Sequence, residues 1–253
     1  MYGTDAATIY DAQHEARGKN FRAEAGEVAR QVRSHRPDAT SLLDVACGTG
    51  AHLEVFAEHY PDTAGLEISA PMLEIARRRV PTVPLHAGDM RNFDLGRRFD
   101  VVVCLFASIA YAGSPEGVDA TVDRLARHLT PGGVVVVEPW WFADRFLDGH
   151  VSGDVVRAGD TTISRLSRTV RADDTSVMTV HTVVADADAI RHFTDVHRAL
   201  LLDRDRYELA FRRAGLAVSY VPDVASGRGL LVGTAPVRVE PPPVGRTVTA
   251  TSA

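Results

Sequence analysis

"LLDVACGTGAHL", residues 42–53, is an apolar run that ends in Asp44 and then breaks into Gly48-Thr49-Gly50. A short apolar run of this kind suits a strand buried on both faces, 41–47. The glycines put a bare main chain at the turn that follows, where a ligand can approach the backbone closely. In an open parallel sheet, ligands bind beyond the carboxyl ends of the strands. A dinucleotide loop would carry a third glycine, but Leu53 stands there, and no Gly-Lys-Ser/Thr ending marks a phosphate loop. The loop is therefore glycine-rich without being tuned for a pyrophosphate.

Strands and helices alternate outward from this turn. Helices are expected at 51–59, 70–79 and 115–129, and strands at 63–67, 83–87, 99–105 and 134–139. Val118, Val122, Leu125 and Leu129 recur at helical spacing, and Pro131-Gly132-Gly133 reads as the stop of their helix. The alternation predicts an α/β fold, a doubly wound parallel sheet with helices on both faces. Residues 1–34 read as helix. After about residue 140 the pattern changes. Residues 161–171, 176–184 and 189–201 alternate polar and apolar side chains, as antiparallel strands laid on the main layer would. A helix at 205–214 and strands at 216–222 and 229–234 close the chain. The expected organisation is a core with an N-terminal lid over 1–140, an antiparallel insertion over 141–203, a return to the core over 204–235 and a disordered tail over 236–253.

The chain has 253 residues, 45% hydrophobic and 24% charged, with a formal net charge of −5. That excludes a broad attraction to nucleic acid or an anionic membrane surface. Two separated cysteines, Cys47 and Cys104, form neither a metal spacing nor a disulfide framework. No apolar run approaches a membrane span, and no signal pattern opens the chain. A cytoplasmic protein is expected. The arginine-rich usage, with Lys19 as the single lysine, reads as a coding bias.

Three further residues narrow the ligand. Glu67 ends the second strand, placed to accept the ribose hydroxyls of an adenosine. Asp89, after the third strand, is placed to accept from an adenine amino group, with Met90 packing on the ring. An acid, a glycine turn, a ribose acid and a Gly-Asp-Met turn in this order resemble the class I S-adenosylmethionine-dependent methyltransferases.

Longer strings narrow the resemblance: "ARGKNF", "SLLDVACGTGAHLE", "LHAGDMRNFDLGRRFD", "GGVVVVEPWWF", "VADADAIRHFTDVH" and "SGRGLLVG". Together they resemble the bacterial N-methyltransferases of dTDP-linked 3-amino-3,6-dideoxy sugars. "VEPWWF" and "SGRGLLVG" lie outside the cofactor half, where a generic methyltransferase has no reason to carry them. The resemblance runs from Tyr2 to Thr234. It implies an added antiparallel layer, a homodimer, S-adenosylmethionine as cofactor and a dTDP-amino-deoxyhexose as methyl acceptor.

It also implies roles for particular residues. Tyr2 and Tyr10 belong to a lid over both ligands, with Tyr2 near the acceptor amine. Tyr111 stands where relatives hold His or Tyr, beside the transfer point, with Ser108 nearby. Ala46, Ile68, Met72 and Phe106 join Asp44, Gly48 and Gly50 on the cofactor side. Lys19 and Arg17 are candidates for the methionine carboxylate, or plain helix-surface charge. Glu138, Trp140 and Trp141 face the acceptor. Two adjacent tryptophans point opposite ways, so one of them is expected to wall the sugar or stack on thymine. Arg228 sits in a glycine-flanked turn suited to presenting it to phosphate. Arg165, His181 and His197, on the added strands, are candidate sugar-nucleotide contacts.

Two rival readings remain at this point. Another small-molecule methyltransferase, acting on oxygen or on a non-nucleotide amine, is favoured if the Arg228 turn fails to reach the pocket. A cofactor-binding protein without catalysis, such as an accessory partner of a glycosyltransferase, requires an occluded pocket with Tyr2 and Trp140 turned away.

Overall fold

A computed structural model describes residues 3–237; Tyr2 and all but the first two residues of the expected tail lie outside them. The first strand, β1 (Ser41–Val45), sits inside a seven-stranded sheet. Its neighbours are β2 (Asp62–Glu67) and β4 (Phe99–Cys104), with β3 (Leu85–Ala87) at one edge. β5 (Leu129–Val137), β11 (Leu230–Thr234) and β10 (Ala217–Val221) complete the order β10-β11-β5-β4-β1-β2-β3. β1 to β5 run parallel, while β11 runs antiparallel to β5 and β10 antiparallel to β11. The chain leaves β1 toward β2 and β3 and returns on its other side with β4. The strand order thus reverses at β1/β4, the place where such sheets bind ligands.

Both sheet faces are covered, so the strands carry apolar side chains on both sides. Leu43, Val102 and Cys104 pack with α5 (Pro115–Arg127) and α6 (Arg204–Arg213) on one face. Leu42, Val101 and Val103 pack with α2 (Phe21–His35) and α3 (Ala51–His59) on the other. Each such side chain, fully removed from water, contributes about 1.5–3 kcal/mol.

Four readings are revised. The expected N-terminal helix is two helices, α1 (Thr4–Ala16) and α2, broken at Gly18, whose φ is +92°. Asn20 caps α2 by accepting from the Ala23 N–H at 2.9 Å. Pro131-Gly132-Gly133 does not end α5, which stops four residues earlier at Arg127. It lies within β5, where the register against β4 shifts between Phe99 and Val101. A short 3₁₀ turn, Ser108–Ala112, follows β4. The antiparallel layer has a fourth strand, β6 (His150–Ala158), beside β7 (Thr161–Ala172), β8 (Thr175–Ala185) and β9 (Ile190–Leu200), in that order.

α1 is clamped at its middle and at its C-terminal end. Asp11 accepts from the Thr49 hydroxyl at 2.6 Å and pairs with Arg79 of α4 (Ala70–Arg79), also at 2.6 Å. Arg17, at its far end, pairs with Asp154 of β6 at 2.8 Å. One helix thus joins the glycine loop to the second sheet.

Candidate active site

The glycine loop takes its shape from three left-handed backbone positions and one carboxylate. Ala46, Gly48 and Gly50 all have left-handed φ, +62°, +58° and +78°. Glu67 Oε2 accepts from the Gly48 N–H at 2.9 Å, and its Oε1 accepts from Ile68 and Ser69 at 2.9 and 2.7 Å. The acid at the end of β2 therefore closes the loop as well as facing it. A carboxylate has about four acceptor positions, and three are filled. A two-point grip on ribose hydroxyls requires Glu67 to exchange one of these bonds. Asp44 lies beneath the loop, and burial, then the Glu67 charge, push its carboxyl well above the usual range.

The other residues expected on the adenosine side differ in exposure. Ile68 is 48% exposed. Asp89 is held by Arg91, whose Nε lies 3.0 and 3.1 Å from its two oxygens. That pair must open before the carboxylate can take an amino group. Met90 packs against the main core cluster. Met72 is sealed under α4 at 2% exposure and shows almost no surface to a ligand, contrary to the expected contact.

Beyond the loop opens a cavity of about 810 Å³ between α1, the carboxyl ends of β4 and β5, and the second sheet. Tyr10, Lys19, Phe106, Ser108 and Tyr111 line one side. Trp140, Trp141 and Arg228 line another, and both tryptophan rings lie within about 6 Å of the Arg228 guanidinium, at 5.9 and 6.0 Å. The expectation that only one tryptophan faces the pocket is therefore corrected: both do. Trp140 Nε1 is buried without a hydrogen-bond partner among the described residues.

Arg228 reaches the cavity, but it is already engaged. It forms a buried ion pair with Glu138, whose other oxygen accepts from the Phe106 N–H at 2.8 Å. Any phosphate contact is thus made by a guanidinium that shares its charge with Glu138. Glu138 acts beneath the cavity wall rather than on it. Phe106 and Ala107 both have left-handed φ, +51° and +60°. That conformation is costly for residues with a Cβ and concentrates at functional sites. The Phe106 ring it presents carries the Lys19 ammonium 3.6 Å from its centroid.

The turn that carries Arg228 tolerates only glycine at 229. Gly229 has φ +77°, and a Cβ there would run into the Tyr220 ring. The Tyr220 hydroxyl donates to the Arg228 carbonyl at 3.0 Å. Gly229→Ala is expected to lower stability by about 1–3 kcal/mol, read as a drop in the thermal midpoint.

The second sheet supplies the opposite wall through alternate residues. Arg165 pairs in register with Thr182, Val180 of β8 with Ser167 on one side and Asp195 on the other, and Met178 likewise with Thr169 and His197; all of these face the cavity. Arg165 is buried and donates to Ser167 Oγ at 3.0 Å. His197 Nδ1 lies 3.1 Å from the Tyr111 hydroxyl, and burial lowers its pKa. His181 does not join them. It is an odd-numbered residue on a strand whose even-numbered residues, Met178, Val180 and Thr182, face inward. It lies on the outer face, with its Nδ1 3.2 Å from His192 Nε2.

One wall residue escapes the sequence reading. His14 packs on Tyr10, one helical turn away, and on Phe106, with ring centroids 4.6 and 5.1 Å apart. Tyr10, Gln13, His14 and Arg17 share one face of α1, a spacing the sequence does carry. Burial, then the charges of Lys19, Arg17 and Arg165, push His14 down to about 3. It is a neutral wall group at working pH and a poor proton acceptor. The unfolded chain has an ordinary histidine, near 6.5. Between about 6.5 and 3 it binds a proton that the folded chain refuses, so stability falls as the pH drops through that window. Thermal melts across this range are expected to show the slope in the wild type and a flatter one in His14→Gln.

Comparison with known proteins meets this geometry. Residues 42–133 match a family described as a methyltransferase domain. Over 234 residues the chain is 52% identical to a curated dTDP-3-amino-3,4,6-trideoxy-alpha-D-glucopyranose N,N-dimethyltransferase of Streptomyces venezuelae, covering 92% of this chain and 99% of that protein. The chain belongs to the amino-sugar N-methyltransferase family. It is equally, 52%, identical to the dTDP-4-amino-2,3,4,6-tetradeoxy-D-glucose N,N-dimethyltransferase of Saccharopolyspora spinosa, over 92% of this chain and 94% of that one. Among solved structures, the S-adenosylmethionine-bound amino pentose methyltransferase CalS10 of Micromonospora echinaspora superposes with a TM-score of 0.84 at 47% identity, over 89% of this chain and 96% of that one. In this member of the family, the tryptophan pair and the Arg228 turn, which lie in the strings that set the family apart, meet at one cavity wall.

Proposed function

We propose that this chain is an S-adenosylmethionine-dependent N,N-dimethyltransferase acting on the 3-amino group of a dTDP-linked amino-deoxyhexose, in the biosynthesis of a glycosylated natural product. The observation that carries it is the cavity walled by Phe106 and Tyr111 after β4 and by Arg228, Trp140 and Trp141, whose helix α1 is bonded to the glycine loop through Asp11 and Thr49. Its volume lies in the range of small-molecule sites. The loop fits the cofactor: a Cβ at Gly48 would enter open space, while one at Gly50 would press on Ala76 at 3.2 Å.

The bound cofactor supplies an electrophilic methyl group on a sulfonium. The chain's own contribution is alignment, which can lower a barrier by roughly 7–11 kcal/mol. Tyr111 orients the amine, and its hydroxyl relays the departing proton, taking it as the phenol gives its own to His197 Nδ1, 3.1 Å away. Trp140 and Trp141 wall the nucleotide, with Arg228 and Arg165 turned to its phosphates. Asp44, Ala46, Gly48, Gly50, Glu67, Ile68 and Asp89 hold the cofactor, with Phe106 and Tyr10 between the two ligands. α1, clamped at its middle and its C-terminal end, excludes water.

A second copy of the chain covers the outer face of the second sheet, where Val151, Val155, Leu166, Val183 and Val196 are exposed together. A sedimentation mass of one chain at micromolar concentration would remove this dimer. The two buried free cysteines suit a reducing cytoplasm.

The test is mass spectrometry of purified chain with S-adenosylmethionine and a panel of dTDP-3-amino and dTDP-4-amino deoxyhexoses. A gain of two methyl groups on a 3-amino sugar is expected. Transfer to the 4-amino sugars alone would move the amine's position, and no transfer to any of them would refute the acceptor class.

A further inference from the structure

Among the described residues, two acids line the cavity. Glu24 is satisfied: Lys19 Nζ and His52 Nε2 both reach its Oε2, at 2.6 and 2.8 Å. Asp195, on the inward face of β9, makes no hydrogen bond or ion pair among the described residues. Val180 stands opposite it on β8, and Phe193 precedes it on the same face. Neither side chain has a polar group to offer. His197, the next inward residue, turns its Nδ1 to the Tyr111 hydroxyl, 3.1 Å away. Asp195 is half-buried, so water reaches only part of it.

The fold does not account for this carboxylate. Strands disfavour aspartate. A partly desolvated acceptor without a partner costs free energy. A carboxylate accepts hydrogen bonds and donates none, so it selects a donor and repels a phosphate. A nucleotide sugar offers few donors: its amine, its hydroxyls and the N–H of the base. Position chooses among them. Tyr111 and His197 mark the place of the amine. Asp195 lies one stride of two residues from His197, about 7 Å along the strand. At the other end of its row, across Val180, Ser167 accepts from the Arg165 guanidinium at 3.0 Å. The row therefore has a group that seeks anions on β7 and a group that seeks donors on β9. A hexose ring, which links the diphosphate to the amine, lies across it. The donors next to the amine are the hydroxyls on the two adjoining ring carbons.

We propose that Asp195 is a specificity-determining residue that accepts a hydrogen bond from a hexose hydroxyl on a carbon adjoining the one that carries the amine. It reads the sugar and takes no proton in the transfer. A sugar without that hydroxyl leaves the carboxylate unpaired, and a site built around such a bond rejects the analogue that lacks it. The proposal rests on the amino-sugar reading above.

The experiment is steady-state kinetics on the full chain with dTDP-3-amino-3,6-dideoxyglucose and its 2-deoxy and 4-deoxy counterparts. The wild type is expected to disfavour one counterpart by about tenfold or more in kcat/KM, and the one it disfavours identifies the hydroxyl. Asp195→Ala is expected to lower kcat/KM about ten- to a hundredfold on the sugars that carry this hydroxyl. It is expected to leave the counterpart without it within about twofold, so the preference disappears. Asp195→Asn repeats the comparison with a side chain of the same shape that keeps an acceptor oxygen, and a smaller loss on the same sugars is expected. Calorimetry with S-adenosylhomocysteine is expected to give one affinity for all three chains, which reports an intact fold and cofactor side. Equal losses on all three sugars would overturn the proposal and give Asp195 to the amine or the nucleotide. No loss on any of them, or a wild type without preference, would overturn it as well. A wild type that methylates none of the three would overturn the acceptor reading and this one with it.

Discussion

Glu138→Ala is expected to lower the stability of the chain by about 3–5 kcal/mol, the usual cost of removing one partner from a buried ion pair. The Glu138 and Arg228 side chains are only 6% and 11% exposed, so the orphaned guanidinium has little water to turn to. A second loss adds to the first. Glu138 also receives the Phe106 N–H, and that bond helps to hold Phe106 and Ala107 in left-handed conformations. Each such residue costs about 1–3 kcal/mol unless its surroundings impose the conformation. Without the carboxylate the Phe106 ring is expected to leave the cavity wall, and turnover to fall with stability. Glu138→Gln keeps the acceptor for Phe106 and gives up the charge, so its loss is expected to be smaller. Urea unfolding with an unchanged slope is the measurement. An unchanged midpoint in the alanine variant would show that Arg228 has another partner.

Glu67→Ala is expected to weaken cofactor binding by about 100-fold or more. Three backbone N–H groups, of Gly48, Ile68 and Ser69, lose their common acceptor. Hydrogen bonds to a charged group are worth about 1.5–3 kcal/mol each. The glycine loop is then expected to relax before any ligand arrives, and the ribose loses its acid as well. Calorimetry with S-adenosylmethionine reads the first effect, and the unfolding midpoint reads the second. Unchanged affinity would take Glu67 out of the site.

The sequence reveals the parallel sheet because its strands are buried on both faces. "FDVVVCL" and "VVVVEP" are continuous apolar runs for that reason. The glycine turn and Glu67 were readable because their chemistry requires those residue types at those places. β6 stayed hidden because "HVSGDVVRA" carries Gly and Asp, which strands disfavour. Pro131-Gly132-Gly133 resembles a helix stop, yet it fills a shift of register that only the pairing of β4 with β5 reveals. Arg165, His181 and His197 look alike in the sequence. Which face each occupies depends on strand parity, and parity has no meaning until the register is fixed. His14, Glu24 and His52 acquire their environments from helices that pack across a gap no local pattern describes.

The second sheet places two unrelated duties on alternate residues of one strand. Along β7, Arg165, Ser167 and Thr169 face the cavity, while Leu166 and Arg168 between them face outward. A change in the shape of the cavity on this strand therefore advances in strides of two. A change at an intervening site alters the outer face of the sheet instead and leaves the cavity wall nearly untouched. Inserting one residue early in β7 would trade the two sets, bringing a leucine to the cavity and a buried arginine to the outside. Sequence drift in this layer is thus constrained far more by insertions and deletions than by substitutions.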